Sequence, residues 1–394
     1  MHVLIAGGGI GGMSAALSLL RAGFQVTVCE QAPELTEVGA GIQLSPNGCR
    51  ALEYLGVFEQ LRELSCDPIR KEFRVWNTGQ AWPMFDLGKH VIKEYGYPYL
   101  TVYRPDLLTV LAGAVESEDP TAIHLGKRIA GCSQDETSAT IHFEDGSTIT
   151  GDVLIGADGW RSVVRNELWG DLTPTFSGMV AWRSIIPMST LPPHLQESVG
   201  TTWIGPGAHV VTYPLHGGEI MNFVATIEGK TWDVQSSTAP GEKSECLEDF
   251  AGWHEDIVTM INAAPALLKW ALVSREPIPE WTQGRITLLG DACHTTLPFL
   301  AQGAVHSIED AVVLTRCLQG EPDVPTALRQ YEAARIERTS KMVRGATANT
   351  GRFHSEELRT DEGARTYLEK EMSANPIAER YDWLYRYDAV TAPI

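Results

Sequence analysis

The chain opens with Met1-His2-Val3-Leu4-Ile5-Ala6-Gly7-Gly8-Gly9-Ile10-Gly11-Gly12-Met13, and Val26-Thr27-Val28-Cys29-Glu30 follows soon after. Val3-Leu4-Ile5-Ala6 is a short apolar run of strand type. It ends in a glycine turn that contains G-x-G-x-x-G as Gly7, Gly9 and Gly12. Met13, Ala16, Leu17 and Leu20 then recur at helical spacing, and Gly23 is placed to close that helix. Val26 begins a second strand, which delivers an acid, Glu30. Strand, turn, helix, strand and acid within one βαβ unit is the setting in which this glycine pattern binds an adenine dinucleotide. Gly7 can take a φ that a side chain forbids, Gly9 lets backbone approach a pyrophosphate, and Gly12 lets the helix lie close on the strand. The free amides of the first helical turn and the helix dipole favour the pyrophosphate charge. Glu30 is expected to accept hydrogen bonds from ribose hydroxyls. The motif by itself does not choose between FAD and NAD.

Composition narrows the class. The 394 residues are 43% hydrophobic and 21% charged, the balance of an ordinary soluble globular protein of about two domains. A net charge of −19 argues against nucleic acid and against an anionic membrane surface as partners. No apolar run approaches membrane-span length, and the first residues enter the nucleotide fold directly. The expectation is a cytoplasmic protein with no signal peptide. Seven cysteines, at 29, 49, 66, 132, 246, 293 and 317, lack C-x-x-C spacing and read as reduced thiols, with no metal site expected. Cys293-His294 is the sole adjacent Cys/His pair, and a packed thiol beside a loop histidine accounts for it.

Beyond Glu30, the small residues of Val38-Gly39-Ala40-Gly41-Ile42-Gln43 would let backbone lie close to a flat ligand. A helix is expected from near Asn47 through Leu55, and residues 72–86 read as strand, turn and strand. Tyr103-Arg104-Pro105 looks like a helix start with Arg104 at its mouth, where a guanidinium suits phosphate. Asp145-Gly146 predicts a hairpin, and residues 152–165 repeat the pattern of apolar strand, glycine turn and helix start. From about residue 174, alternating segments predict an antiparallel sheet, and residues 246–264 read as one helix. Nucleotide-domain character returns with a buried strand ending in Gly290-Asp291-Ala292. Asp291 at the carboxyl end of a strand is where an open α/β sheet binds ligand, and Gly303-Ala304 offers amides at a helix start. The expected fold is α/β: a Rossmann-like nucleotide domain at 1–173 and 275–345, an inserted antiparallel-sheet substrate domain at 174–274, and a helical C-terminal extension at 346–394.

Three motifs in this order resemble the class A FAD-dependent aromatic hydroxylases, the fold family of p-hydroxybenzoate hydroxylase. They are G-x-G-x-x-G with its acid, G-A-D-G-x-x-S-x-x-R at 156–165, and G-D-A…P…G at Gly290, Asp291, Ala292, Pro298 and Gly303. The likeness covers residues 1 to about 345 and is closest to the salicylate hydroxylase, 3-hydroxybenzoate 6-hydroxylase and 6-hydroxynicotinate 3-monooxygenase types. Pro298 departs from the 6-hydroxylase type, which carries glutamine there, and Gln43 from the hydroxynicotinate type, which carries histidine.

The resemblance implies that the first motif, with Glu30 and Gln31, holds the ADP part of FAD. It implies further that Asp291 contacts the ribityl chain and that Gly303-Ala304 lies beside the isoalloxazine. It makes Arg104 an FAD contact and associates Asp158 with both FAD and the nicotinamide coenzyme. The implied reaction is hydroxylation of a small phenolic or heteroaromatic acid with O2 and NADH or NADPH, through a C4a-hydroperoxyflavin. A base near the phenol would make the ring a better nucleophile. His209 and Tyr213, four apart on one strand and so on one face, are the candidates, with His294 behind them. A packed aromatic and a satisfied polar residue are the competing assignment. Trp182 and Trp203 are assigned to the core, and Tyr331, Arg335 and Arg338 to bracing the FAD domain. No second G-x-G-x-x-G is present, which counts against an ordinary NAD-dependent dehydrogenase. A flavin-binding regulator without turnover and a homodimer both stay open.

Overall fold

In the computed structural model, strand His2–Ala6 pairs in parallel with Gln25–Cys29 on one side and Val153–Gly156 on the other. Residues 1–35, 39–233, 236–374 and 377–394 are described, so Val38 lies outside the described residues. Val3 to Ala6 are fully buried, as parallel strands are when helices cover both faces. The six-stranded sheet runs in the order Thr282–Gln283, Ile286–Leu288, Val153–Gly156, His2–Ala6, Gln25–Cys29, Ile123–His124. Helix Ile10–Arg21 packs against Arg104–Glu118 and Gly303–Gly320. This brings residues some three hundred positions apart to one end of the sheet.

An eight-stranded sheet forms the second layer, in the order Thr238–Gly241, Leu267–Ser274, Thr175–Pro187, Ile220–Ile227, Ala208–Leu215, Val199–Gly205, Arg70–Val75, Ala81–Asp86. Two of its strands come from outside residues 174–274. Arg70–Val75 adds in parallel to Val199–Gly205, and Ala81–Asp86 hangs on it by a hairpin. One face of this sheet packs with Phe250, Ile257, Met260 and Ile261, and there Trp182 and Trp203 are buried core residues. The other face is turned to the nucleotide sheet.

The helix expected over 246–264 is two helices, Lys243–Asp249 and Glu255–Ala263. Gly252 between them has φ +82, and His254 caps the second: its backbone N–H donates to Trp76 O (2.8 Å) and its ring accepts from Asp256 N (3.2 Å). The helical period ran through the break because both pieces bury the same side on the same core. Helix Val324–Phe353 runs through residues 345 and 346 without interruption. It braces the nucleotide sheet, with the Tyr331 hydroxyl donating to Leu288 O (3.1 Å). The tail folds back on the sheet's helices: Arg50 donates to Tyr387 O, Arg316 to Ala389 O and Arg338 to Trp383 O. Among the described residues, no helix is long and apolar enough to cross a membrane.

Candidate active site

The three fingerprint glycines have different jobs in the turn. Gly7 takes φ +107, and a Cβ there would stand 2.4 Å from Ala157 O. A Cβ on Gly12 would stand 2.0 Å from Gly7 O, so the helix can follow the strand only if this residue is glycine. Gly9 is the reverse case. A Cβ there meets nothing within 4 Å, yet Gly9 lines a cavity. Glu30 holds the turn in place, its carboxylate accepting from Gly8 N (2.7 Å) and Ala32 N (2.8 Å).

From this turn a cavity of about 350 Å³, in the range of small-molecule sites, runs to the eight-stranded sheet. Gly9, Ala40 to Gln43, Arg104, Asp291, Gly303 and Ala304 line its nucleotide side. Gly303 opens an 18-residue helix whose free amides face the cavity's end of the loop. Asn47 fixes that loop: its Nδ2 donates to Gln302 Oε1 (3.2 Å) and Glu309 Oε1 (2.7 Å). The Asp291 carboxylate faces the cavity and accepts no hydrogen bond from the described residues. The side chain is open to the cavity, and desolvation there raises its pKa against the pull of His294, Arg104 and Arg275. An acceptor so placed fits a ligand that brings hydroxyls, and the bare backbone at Gly9 fits one that brings a pyrophosphate. The residues therefore fit FAD.

Of the expected cofactor residues, Gly7, Gly12, Glu30, Gln31 and Asp158 stand off the cavity wall. Gln31 accepts from Arg128 at the surface (2.9 Å). Asp158 Oδ2 accepts from Val163 N (2.7 Å) and Val164 N (3.2 Å), capping the helix that follows. Arg165 is fully buried and donates to Ala292 O and Trp160 O (both 3.0 Å), so it ties the second motif to the third. His294 is engaged by Asp310 (2.6 Å), which Arg335 also holds (2.7 Å). Burial alone would raise the Asp310 pKa, but His294 and Arg335 outweigh it and hold the acid ionised. Cys293, His294 and Asp310 come within 4.8 Å of one another, with Asp310 already committed to that pair.

Register decides the sheet side of the cavity. Side chains of one strand alternate between faces, so neighbours in register form rows across the sheet. Ile185, Asn222 and Tyr213 make one row, continued by Gly200 and Lys71. Arg183, Val224 and Val211 make the next, and Ala181, Thr226 and His209 the third. His209 and Tyr213 do share a face, and both line the cavity with Arg183, Lys71, Thr202 and Val211.

The polar groups on this floor divide by charge. His209 packs edge-on against Phe299 (4.8 Å between centroids). Burial, helped by neighbouring His354, pushes its pKa well below the usual histidine value and keeps the ring neutral. Burial raises the Tyr213 phenol, against the pull of Arg183 and Gln43. A neutral phenol is a donor, whereas a neutral imidazole can take a proton, so of the two His209 is the one suited to act as base. Arg183 stacks on Trp270 (4.0 Å) and burial lowers its pKa to about 10. It has no carboxylate partner among the described residues. Lys71 donates to the Tyr99 hydroxyl (3.0 Å), which donates to Gln43 (2.7 Å), and burial lowers the Lys71 amine to about 8. A floor with two half-buried cations, neither paired with an acid among the described residues, suits an anionic ligand.

Lys71, Tyr99 and Arg183 were not singled out in the sequence. Arg183 carried a usable signal, being the one charged residue in the strand Thr175–Pro187. Lys71 carried none, because its strand reaches the sheet only through a long-range parallel pairing.

A family model described as an FAD binding domain matches residues 1–346. A 6-hydroxynicotinate 3-monooxygenase of Bordetella bronchiseptica is 34% identical over 396 residues, covering 100% of this chain and 97% of that one. A 3-amino-4-hydroxybenzoate 2-monooxygenase of Streptomyces platensis is 36% identical, with 100% and 97% covered. A 3-hydroxybenzoate 6-hydroxylase of Polaromonas naphthalenivorans is 35% identical, with 98% and 96% covered. A solved salicylate hydroxylase substrate complex superposes with a TM-score of 0.83 at 25% identity, covering 100% of this chain and 98% of that one.

Proposed function

The chain belongs to the FAD-binding aromatic monooxygenases of class A, and from that premise we propose that it hydroxylates a small aromatic acid carrying a ring hydroxyl, hydroxybenzoate or hydroxynicotinate in kind. Membership sets aside a dehydrogenase and a silent flavin-binding regulator. It also supplies FAD as cofactor, with NAD(P)H and O2 as co-substrates. When bound, FAD would supply the activation of O2, one atom of which reaches the ring while the other leaves as water.

The observation that carries the substrate class is the pairing, on one cavity floor, of a neutral His209 with two half-buried cations that have no acid partner among the described residues. Arg183 and Lys71 stand at opposite sides of the floor, and either offers a charge-assisted hydrogen bond to a ring carboxylate. His209 accepts the proton of the ring hydroxyl, and the ionised oxygen raises electron density on the carbon to be attacked. Tyr213, neutral, can donate to that oxygen. Phe299, Phe353 and Val211 keep the ring dry and in place. On the nucleotide side, Gly9 and the Gly303 helix receive phosphate and ring, and Asp291 receives hydroxyls.

The test is a panel of hydroxylated benzoic and nicotinic acids in an NADH- and NADPH-oxidation assay with product analysis. The reading expects at least one acid to stimulate oxidation and to appear hydroxylated. It fails if uncharged phenols are turned over as well as their acids.

A further inference from the structure

His209 does not stand alone behind the cavity. Its Nδ1 lies 2.6 Å from Nε2 of His354, and Nδ1 of His354 lies 2.5 Å from Oε1 of Glu228. His209 and His354 are both buried, whereas the Glu228 side chain is 44% exposed. Three elements converge here: the strand Ala208–Leu215, the end of helix Val324–Phe353, and the residue just after strand Ile220–Ile227. The chain of contacts leads from the cavity to solvent.

The direction of these hydrogen bonds follows from the outer end inward. An ionised carboxylate can only accept, so Nδ1 of His354 carries the hydrogen. Its Nε2 is then the acceptor, which requires the hydrogen on Nδ1 of His209. Nε2 of His209, with no hydrogen-bond partner among the described residues, is left as a bare lone pair on the cavity side. We infer that Glu228 and His354 are positioning residues that fix His209 as a base toward the cavity and conduct the substrate's proton to solvent. The inference rests on the reading of His209 as the base for a ring hydroxyl.

The need for a relay is electrostatic. A proton left on His209 would be a charge enclosed by Phe299, Phe353 and His354. No acid among the described residues pairs with it directly, and an uncompensated buried charge is costly. In the relay, the substrate O–H bond breaks and Nε2–H forms on His209. Nδ1–H of His209 passes to Nε2 of His354, and Nδ1–H of His354 passes to Glu228, which gives it to water. One proton enters, one leaves, and both rings return to neutral in the other tautomer before resetting.

Two measurements on the FAD-loaded enzyme test this. Nitrogen-15 NMR of labelled histidines, assigned with His209→Gln and His354→Gln, reads the tautomers without any substrate. The native enzyme should show His209 protonated at Nδ1, and Glu228→Gln, whose amide can donate, should shift it toward Nε2–H. With 3-hydroxybenzoate and 6-hydroxynicotinate, and the best acid from the panel, Glu228→Gln should lose about tenfold in product formed per NADH consumed, in line with removal of an outer hydrogen-bond partner. Glu228→Asp should recover part of that loss, with FAD retention and Tm unchanged. A native His209 protonated at Nε2, or a tautomer indifferent to Glu228→Gln, overturns the relay whatever the substrate proves to be. Failure of the acid panel with the native tautomer as expected overturns the substrate reading instead.

Discussion

Nδ1 of His209 and Nε2 of His354 stand 2.6 Å apart although 145 positions separate them in the chain. That contact occupies one nitrogen of His209, the one histidine on the cavity floor among the described residues, and presents the other to whatever the cavity holds. His209→Ala should therefore keep FAD and still oxidise NADH when an aromatic acid is bound. Product should fall about 10²–10⁴-fold, the usual worth of a general base, while peroxide rises to balance NADH consumed. Measuring product, peroxide and NADH in one reaction checks it. A variant in which all three fall together has lost packing, not a base.

Asp291 points an unbonded carboxylate into the cavity beside the buried Ala292 and Cys293. Asp291→Ala should fold normally and bind FAD up to about a hundredfold more weakly, matching the roughly 1–3 kcal/mol of a lost buried hydrogen bond. Flavin retained after extended dialysis, with an unchanged Tm for the apoprotein, is the readout. Full retention would remove Asp291 from the cofactor site.

Gly9 and Gly12 should separate binding from folding. A Cβ on Gly12 would meet Gly7 O at 2.0 Å, whereas one on Gly9 meets nothing within 4 Å. Gly12→Ala should thus cost at least about 1–3 kcal/mol of stability, as overpacking does. Gly9→Ala should leave the apoprotein's Tm unchanged and lose FAD affinity. Melting curves with and without FAD distinguish the two, and equal Tm losses would contradict the assignment.

Arg183→Gln should raise the KM for an aromatic acid about tenfold or more, since hydrogen bonds to charged groups are worth roughly 1.5–3 kcal/mol. The KM for NADH should not move. If the carboxylate is held elsewhere, the two KM values will be equally indifferent.

Lys71 gives a pH signature. Its amine is lowered by burial from 10.5 to about 8, so it is a cation below that pH and neutral above it. An acid held by Lys71 should bind best below pH 8, with KM rising above it, and Lys71→Met should flatten that rise. The stability term has the opposite sense. Between about 8 and 10.5 the unfolded chain binds the proton that the folded one has released, so this group adds stability as pH rises through that window. Denaturant unfolding of both proteins from pH 7 to 10 gives the comparison.

Local patterns determined a good part of this protein. The fingerprint and its flanking strands fixed the parallel sheet, because turn, helix and acid all lie within thirty residues and each position has a steric reason to be what it is. Period-two alternation was enough to place His209 and Tyr213 on one face. It could not say what that face met. The break at Gly252 was hidden because two helices burying one side on one core keep a common period. Lys71 joins the cavity through a parallel pairing with residue 200, and His354 reaches His209 from the end of a 30-residue helix. Neither contact leaves a trace in local spacing. What a sequence states is which residues repeat and turn; which cation loses its water, and which imidazole is turned toward the cavity, depends on elements that meet only when the chain is folded.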